Sequence, residues 1–344
     1  MKLLLYSPAF LPHIGGLELN VAHMAEEFSR AGHQVIVATT TAGEVVGPEY
    51  GIARQPSRMG LLRLVRWCDV YFQANVSLKG LWPLALVRRP WVVSHHSWYC
   101  RTDGRVAWQD KLKRRVLRHA TASIAVSQAL ANDIGASLVI PNTYRDELFR
   151  LTTTRERFGD LLFVGRLVSD KGVDVLLEAM SLLAKRGSRP NLSIVGEGPE
   201  RPAIEQEIER QGLTSQVVLL GKRTDEDLVQ VMNSHRALIV PSRYREPFGI
   251  VALEGMACGC FVIGSEGGGL PEAIGPGGQT FPNGNATALA DLIAESVASL
   301  PRTVSELPPA VRRHLREHST AEVLRRYLYL LGRVVDGEPR LAAS

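Results

Sequence analysis

Short apolar runs alternate with amphipathic helical patterns along nearly the whole chain, and this alternation constrains the fold more than any other feature. Strands are predicted over residues 2–6, 34–39, 70–73, 91–94, 123–126 and 138–140, with a helix over 17–31 after the first strand. Such alternation is typical of βαβ units around a parallel sheet. We therefore predict an α/β chain with Rossmann-like, doubly wound sheets.

A polar stretch over residues 143–160 interrupts this alternation, which restarts with a strand over 161–164 and a helix over 173–185. Further strands are predicted over 192–195, 217–220, 237–240 and 261–263. The 344 residues are enough for two domains of about 150 residues each. We therefore predict a first domain over 1–150, a second over 151–320, and a helix over 321–344 that packs back on the first. The two domains are expected to face each other across a cleft.

Charge is distributed unevenly along the chain. The net charge is +5, but residues 51–150 alone carry 16 Lys and Arg against 6 Asp and Glu. This excess favours an anionic partner in the first domain, and by itself leaves phospholipid, polyprenyl phosphate and nucleic acid open.

Four cysteines without a CxxC pair suit a reducing compartment and give no zinc signature. The N-terminal apolar run is shorter than the core of a signal peptide and is broken by Pro8. No window offers the roughly 18 uncharged apolar residues of a membrane-spanning helix. We expect a cytoplasmic protein that is soluble or peripheral on a membrane.

Two glycine-containing loops stand where parallel sheets bind phosphate groups. Gly15 and Gly16 follow the first strand and open a helix, where backbone N–H groups and the helix dipole favour an anion. In the second domain Arg166 and Lys171, flanked by glycines, can converge on one diphosphate. A tight turn without a ligand is the alternative for the first loop, and a solvated turn for the second.

The segment over residues 241–257 is the most informative. Glu246 follows a buried strand, and Glu254 lies about a turn and a half along the next helix. The N–H groups of Gly249, Ile250 and Val251 lie between the two carboxylates, at the positive end of that helix. This layout fits a ligand with a sugar at one end, a ribose at the other and a diphosphate between them. A surface glutamate pair is the weaker alternative, because the intervening residues are apolar or glycine.

Several other segments accompany these glutamates. In the second half they read FVGRLVSDKG over 163–172, IVGEGP over 194–199, VPS over 240–242, EPFG over 246–249 and GGLPE over 268–272. In the first half they are the Gly15–Gly16 loop, GHQV over 32–35, His95 and His96 at a strand end, AVS over 125–127 and VIPN over 139–142. In this order the motifs resemble those of the retaining glycosyltransferases of the GT4 family, which share the GT-B fold with glycogen synthase. The resemblance spans most of residues 1–285.

The resemblance implies a role for each matching position. Arg166 and Lys171 would neutralise the donor diphosphate, Glu254 would bind the ribose, and Glu246 would accept hydrogen bonds from hydroxyls of the donor sugar. Glycine amides and the residues around the nucleobase would complete the donor site. The residues predicted to bind the donor are Gly15, Gly16, Gly196, Glu197, Phe248, Gly249, Ile250, Val251 and Glu254.

A histidine near the anomeric carbon is also implied, and it aligns with His96, although the adjacent His95 leaves the register open by one residue. On the family pattern it would contact the acceptor or a sugar hydroxyl and would not act as a nucleophile. Same-face attack, in which the departing phosphate takes the acceptor proton, needs no obligatory protein base. A hydrogen-bonded structural histidine is the alternative.

We predict no cofactor and no metal, because Arg166, Lys171 and a helix N-terminus can compensate the charge of the leaving diphosphate. The run Asp225-Glu226-Asp227 spells a DxD sequence, which holds manganese in another glycosyltransferase fold. We discount it because acidic residues suit the first turn of a helix.

The segment over 105–120 predicts a basic amphipathic helix, with Trp108 and Leu112 on one face and five Lys and Arg residues between positions 111 and 118. It could lie on an anionic membrane beside a lipid-linked acceptor, or pack within the first domain with a solvated cationic face. Two segments, 143–146 and 275–285, depart from the family pattern, and the resemblance assigns neither a role.

The predicted function is transfer of a hexose-type sugar from a UDP- or GDP-linked donor to a hydroxyl of a glycan, glycolipid or lipid-linked acceptor. Configuration would be retained, and bacterial envelope polysaccharide or glycoconjugate synthesis is the expected pathway. The alternatives are a GT-B sugar-nucleotide 2-epimerase and a non-catalytic nucleotide-sugar-binding subunit. A nicotinamide dehydrogenase is disfavoured because GxGxxG is absent, and no nucleic-acid partner is predicted.

Overall fold

The computed structural model describes residues 1–13, 15–44, 48–100, 106–152 and 156–337. Four predicted features fall partly outside these ranges: Ile14 of the first glycine loop, Arg105 of the basic helix, residues 153–155 of the polar stretch and residues 338–344 of the C-terminal helix. Contacts divide the chain into two compact units, Met1–Asn142 with the segment from Ala321 onward, and Thr143–Thr320.

The division falls eight residues before the boundary predicted at residue 150. Residues 143–150 belong with the second unit because their polar groups bond to it. The Arg145 guanidinium lies 2.7 Å from the Asp225 carboxylate, and the carbonyl of Arg150 accepts a 3.0 Å hydrogen bond from the Asn233 side chain. A polar composition alone did not reveal these bonds.

The first unit is built around a seven-stranded parallel sheet with strand order β3-β2-β1-β4-β5-β6-β7. Its elements up to the division are β1 (Lys2–Tyr6), α1 (Gly16–Arg30), β2 (Gln34–Thr39), β3 (Gly51–Arg54), α2 (Arg58–Trp67), β4 (Val70–Ala74), α3 (Leu78–Leu81), β5 (Trp91–His95), α4 (Trp108–Val116), β6 (Ala122–Ala125), α5 (Gln128–Ile134) and β7 (Leu138–Val139). The carboxyl ends of all these strands therefore lie at one edge of the sheet.

The second unit contains a six-stranded parallel sheet with strand order β10-β9-β8-β11-β12-β13. Its elements are β8 (Gly159–Val164), α6 (Val173–Lys185), β9 (Leu192–Val195), α7 (Arg201–Arg210), β10 (Val217–Gly221), α8 (Asp225–Asn233), β11 (His235–Val240), α9 (Ile250–Ala257), β12 (Phe261–Ser265), α10 (Leu270–Ile274), β13 (Gly278–Phe281), α11 (Ala286–Ser299) and α12 (Pro309–Glu317). Short 3-10 turns cover Trp82–Ala85, Leu117–His119, Ser169–Lys171 and Gly275–Gly277.

The predicted α/β class with two Rossmann-like parallel sheets is confirmed. Eleven predicted strands appear within two residues of their expected bounds. The two that were missed, β3 and β13, are four-residue edge strands with mostly half-buried or exposed side chains. A short strand that lacks a buried apolar run gives little sequence signal.

The last helix, α13 (Thr320–Val335), packs on the first unit. Its buried face includes Tyr327 and Leu331, which share an apolar cluster with Leu3 of β1. The Tyr327 hydroxyl also lies 2.9 Å from Ser94 Oγ at the end of β5. Burial of such side chains contributes about 1.5–3 kcal/mol each, so this helix is an integral part of the first unit's core.

The basic segment is shorter as a helix than predicted. α4 spans Trp108–Val116 and continues into the 3-10 turn Leu117–His119. The four cysteines are free thiols. Within the described ranges, no helix combines the length and the apolar character that crossing a bilayer requires.

Candidate functional site

In the second unit, the loops after β8, β9 and β11 meet at the carboxyl edge of the sheet, at glycines where a Cβ would collide with a backbone carbonyl of a neighbouring loop. Gly172 begins α6 with a φ of +68°, and a Cβ there would lie 2.0 Å from the carbonyl oxygen of Pro241. Gly196 has a φ of +144°, and a Cβ would lie 1.8 Å from the carbonyl oxygen of Gly165. Gly172, which follows Lys171 in the sequence, and Gly196 therefore allow close backbone packing between neighbouring loops.

Lys171 and Glu246 come together at this edge. Lys171 Nζ lies 2.6 Å from Glu246 Oε1, and the same oxygen accepts a 2.7 Å hydrogen bond from the buried hydroxyl of Ser242. The backbone N–H of Arg243 donates to the carbonyl of Asp170 at 3.0 Å, which ties the two loops together. Two residues predicted from separate motifs thus form one ion pair in a loop with a fixed backbone.

Glu246 is also held from its other side. Its backbone forms a parallel bridge with Gly268, and its carbonyl accepts a 2.7 Å hydrogen bond from Gly269 N–H. The Asn283 side chain donates to the carbonyl of Ser242 at 2.9 Å and accepts from Gly267 N–H at 2.7 Å. The glycine-rich segment over 275–285, which had no role on the family pattern, therefore supports the Glu246 loop.

Helix α9 begins beside this loop. Gly249 has a φ of +115° and precedes the first helical residue, Ile250. The N–H of Ala252 donates to the Gly249 carbonyl, whereas the first N–H groups of a helix have no acceptor within it. Those of Gly249, Ile250 and Val251 are thus free of helical partners at the positive end of the dipole. The side chain of Phe248 is buried, with only 2% exposed, so Phe248 can offer a ligand little beyond its backbone.

Glu254 lies on α9 about one turn beyond its first residue, Ile250. Among the residues that the structure describes, none donates a hydrogen bond to its carboxyl group. Burial raises the pKa of Glu254 to about 7, although the charge of Arg145 acts in the opposite direction. An unpaired carboxyl is unfavourable in such surroundings, and ligand hydroxyls would satisfy it.

The other predicted residues of the second unit are placed differently. Arg166 is exposed and has no ion pair with any carboxylate in the described ranges. Glu197 forms an ion pair with Arg201 at 2.6 Å, and its carbonyl accepts from Leu167 N–H. The N–H of Gly196 donates to the carbonyl of Gly221. A nucleobase could contact the atoms of Gly196 and Glu197 that are not engaged in these bonds, so the roles of both residues stay predictions.

The predicted residues of the first unit gather at the carboxyl edge of its own sheet. Gly15 precedes α1 with an extended backbone, φ −152°, and its carbonyl accepts from Leu19 N–H. A Cβ on Gly16 would meet nothing within 4 Å. Within the described ranges the space beside Gly16 is therefore open, and contact with a donor at this position stays a prediction.

The two adjacent histidines have different surroundings. His95 is fully buried, and its ring nitrogens lie 2.6 Å from the Tyr99 hydroxyl and 2.9 Å from the Ser123 hydroxyl. His96 is only half-buried, and its Nε2 lacks a hydrogen-bond partner in the described part of the chain. Burial lowers the pKa of His96 to about 4. His95 is thus committed to the core, whereas His96 retains a free ring nitrogen.

Sequence reasoning missed the residues that hold the predicted ones in place. Ser242 positions Glu246, and Asn283 supports that loop. In the first unit Asn20 and Asn142 contact the His96 ring. Ser242 and Asn142 stand inside the VPS and VIPN motifs, so their positions were visible, but their contacts were not.

Asp225 of the discounted DxD sequence opens α8, as predicted for acidic residues in a first turn. Its carboxylate lies 2.7 Å from Arg145. Among the described residues, no group of three or more His, Cys, Asp or Glu side chains has an arrangement that could hold a metal ion.

Comparisons with known proteins agree with this architecture. The sequence profile of the group 1 glycosyl transferases matches residues 145–302, and that of glycosyltransferase family 4 matches residues 14–144. An uncharacterised glycosyltransferase of Methanocaldococcus jannaschii is 41% identical over 114 residues, which are 33% of this chain and 29% of that protein.

Two solved structures share the fold over almost the whole chain. Sucrose-phosphate synthase from Thermosynechococcus elongatus has a TM-score of 0.81 at 22% identity, covering 98% of this chain and all of that one. HepE of Anabaena, solved in complex with UDP and glucose, has a TM-score of 0.78 at 21% identity, covering 96% of this chain and 99% of that one. These likenesses confirm the predicted GT-B fold. Taken together, the two profiles span residues 14–302, and the chain belongs to the family 4 glycosyltransferases, a family of sugar-transferring enzymes.

Proposed function

We propose that this chain transfers a hexose-type sugar from a nucleotide-diphosphate sugar to an acceptor hydroxyl, with retention of configuration. The observation that carries the proposal is the joint placement of three groups around the start of α9. Lys171 pairs with Glu246 just before the helix, N–H groups without a helical acceptor open it, and Glu254, whose carboxyl has no donor among the described residues, lies farther along. In that order, these groups match a sugar, a diphosphate and a ribose.

The diphosphate is the leaving group of such a reaction, and its negative charge must be compensated. Lys171 and the exposed Arg166 supply two cations, and the first N–H groups of α9 supply donors along the helix dipole. We propose that these groups replace a divalent metal. Activity after dialysis against EDTA should equal the untreated rate, whereas complete loss restored by manganese would contradict this part of the proposal.

The existing hydrogen bonds of Glu246 fix one oxygen of its carboxylate and leave the other available to a sugar hydroxyl. Its Oε1 already accepts from Lys171 and Ser242, whereas Oε2 has no donor among the described residues. Oε2 can therefore accept from a hydroxyl of the donor sugar while Oε1 keeps the carboxylate in place. Charge-assisted hydrogen bonds of this kind contribute about 1.5–3 kcal/mol.

The test is a donor screen followed by product analysis. UDP comes first because one structural relative was crystallised with it, and GDP, UDP-sugars and GDP-sugars follow in thermal-shift and isothermal titration measurements. Transfer to a glycan or glycolipid acceptor with retention at the anomeric carbon, read by NMR, would support the proposal. Isomerisation of the donor sugar without an acceptor would favour the 2-epimerase. Binding without turnover across glycan, glycolipid and lipid-linked acceptors would favour a non-catalytic subunit.

We further propose that α4 brings the protein to an anionic membrane, on the cytoplasmic face, where a lipid-linked acceptor would be available. The helix contains no buried residue, and Trp108 is 71% and Leu112 38% exposed. Of its cations, Arg114 is paired with Asp133 at 2.6 Å and Lys113 with Asp110 at 2.9 Å. Exposed aromatic and aliphatic side chains among cations are typical of helices that lie in a membrane interface.

Sedimentation with anionic vesicles tests the membrane proposal. A Trp108→Ala variant with Lys111→Gln and Arg115→Gln should lose most of its vesicle association, whereas Lys185→Gln in the exposed part of α6 should not. Unchanged association of the triple variant would favour the alternative, a packing helix with a solvated cationic face.

A further inference from the structure

His96 is surrounded by three asparagines of the first unit, which sequence reasoning did not connect with it. Its backbone N–H donates to Asn75 Oδ1 at 2.8 Å. Its Nδ1 lies 3.2 Å from Asn142 Oδ1 and 3.2 Å from Asn20 Nδ2. The Asn20 amide donates to Asn142 Oδ1 at 2.8 Å. One ring nitrogen is therefore enclosed by protein, and the other, Nε2, is buried without a partner in the described ranges.

The enclosed nitrogen can take part in two ways. Either Nδ1 carries the proton and donates to Asn142 Oδ1, or it carries a lone pair and accepts from Asn20 Nδ2. The first arrangement leaves a lone pair on Nε2, and the second leaves a proton there. The choice determines whether His96 accepts or donates a hydrogen bond at its free nitrogen.

The distances favour the first arrangement. The three atoms form a triangle in which the directions from Asn20 Nδ2 to its two neighbours diverge by about 64°. The two hydrogens of an amide nitrogen point about 120° apart. Asn20 can therefore make one well-aligned bond, and the 2.8 Å contact to Asn142 is the shorter. A carbonyl oxygen tolerates two donors over a broad range of directions, so Asn142 Oδ1 can accept from both Asn20 and His96.

We propose that Asn142, oriented by Asn20, holds His96 in the tautomer with the proton on Nδ1, so that Nε2 presents a lone pair to a substrate hydroxyl. Asn142 and Asn20 are thus positioning residues, and Nε2 takes a hydrogen bond from a sugar or acceptor O–H. The identity of this substrate group rests on the proposed glycosyl transfer, whereas the tautomer does not.

The low pKa of His96 is consistent with this role. With a pKa near 4 the ring is neutral at ordinary assay pH, so it offers no positive charge to the leaving diphosphate. A neutral ring has one donor and one acceptor nitrogen. Fixing Nδ1 as the donor therefore fixes Nε2 as the acceptor, which suits a hydroxyl better than a phosphate oxygen.

The test is a histidine 15N correlation experiment on the full chain at neutral pH without any substrate. The His96 signals are assigned by their loss in His96→Gln, and Nδ1 is expected to carry the proton. In Asn142→Leu the proton should move largely to Nε2, while Asn142→Asp should keep it on Nδ1. Ser123→Ala, which removes a partner of His95, is the matched control and should change only the His95 signals.

A proton on Nε2 in the wild type, or an unchanged His96 tautomer in Asn142→Leu, would overturn the proposal. Activity provides the second measurement. Asn142→Leu should lower kcat about tenfold, the loss of one hydrogen bond, with nucleotide affinity unchanged, and Asn142→Asp should restore at least part of it. If the tautomer is as proposed but no nucleotide sugar is turned over by the wild type, the proposed function fails and the tautomer assignment stands.

Discussion

Replacing Glu254 with glutamine tests whether the carboxyl group at this position lowers the stability of the second unit while it serves to bind a ligand. The pKa of Glu254 is raised from an ordinary value of 4.5 to about 7 by burial. Between those values the native protein holds a proton that the unfolded chain has released. Stability linked to the protonated carboxyl is therefore fully present below pH 4.5 and is lost as pH rises through 7.

The magnitude follows from the size of the shift. At about 1.4 kcal/mol per pKa unit, the full shift corresponds to about 3 kcal/mol, and partial contact with solvent reduces the expected effect to about 2 kcal/mol. Glutamine has the same shape without the charge. At pH 8 the Glu254→Gln variant should therefore melt roughly 4–8 °C above the wild type, and the difference should vanish near pH 4.5.

Differential scanning calorimetry at pH 4.5, 6 and 8 measures this difference. Glu178→Gln is the matched control, since Glu178 is an exposed glutamate on α6 of the same unit, and its difference from wild type should stay small at every pH. A Glu254→Gln variant that is no more stable than wild type at pH 8, or equally more stable at every pH, would refute the reasoning.

The same substitution, which is expected to raise the melting temperature at pH 8, should weaken nucleotide binding. Ribose hydroxyls donate best to a charged carboxylate, so wild-type affinity for UDP should rise by up to tenfold per pH unit as pH approaches 7. The Glu254→Gln variant should bind about ten- to a hundredfold more weakly at pH 8, without that contribution to the pH dependence. Ionisation of the phosphate affects both proteins alike and cancels in the comparison.

Three further substitutions probe the rest of the site. Lys171→Ala should weaken UDP binding about tenfold or more through the loss of a charged donor, and calorimetric titration showing wild-type affinity would remove Lys171 from the diphosphate site. Ser242→Ala should lower kcat about tenfold with UDP affinity unchanged. Its control is Ser265→Ala, which should leave kcat unchanged, because the buried Ser265 hydroxyl has no partner in the described ranges. Equal rates in both variants would contradict a role for Ser242. Gly172→Ala should lower the melting temperature by several degrees, because Gly172 has a positive φ and a Cβ there would collide with the Pro241 carbonyl. Gly332→Ala is the control and should not lower it, since a Cβ there meets nothing within 4 Å. A Gly172→Ala variant as stable as wild type would contradict the packing argument.

The sequence predicted the central strands because they are buried on both faces of a parallel sheet. Val37 and Phe72 flank Leu5 on neighbouring strands, and each is almost fully buried. Continuous apolar runs are the strongest strand signal in such sheets. The edge strand Gly51–Arg54 has no fully buried residue. Its pairing with β2 depends on tertiary contacts, which local composition does not encode.

In the candidate site, too, the sequence indicated individual residues but not the contacts between them. Spacing and chemistry pointed to Glu246 and Lys171 separately, yet not to the 2.6 Å ion pair between residues 75 positions apart. The Asn20–Asn142 contact joins positions 122 residues apart. A single sequence shows which polar groups are present but not which of them meet. The choice between His95 and His96 likewise needed the partners of each ring.

The most direct measurement is a crystal structure of the protein with UDP or its sugar conjugate bound. We predict that the phosphates contact Lys171, Arg166 and the first N–H groups of α9, and that both ribose hydroxyls donate to Glu254. A nucleotide bound elsewhere, with Lys171 paired only to Glu246 and the Glu254 carboxyl left without a ligand, would contradict the account.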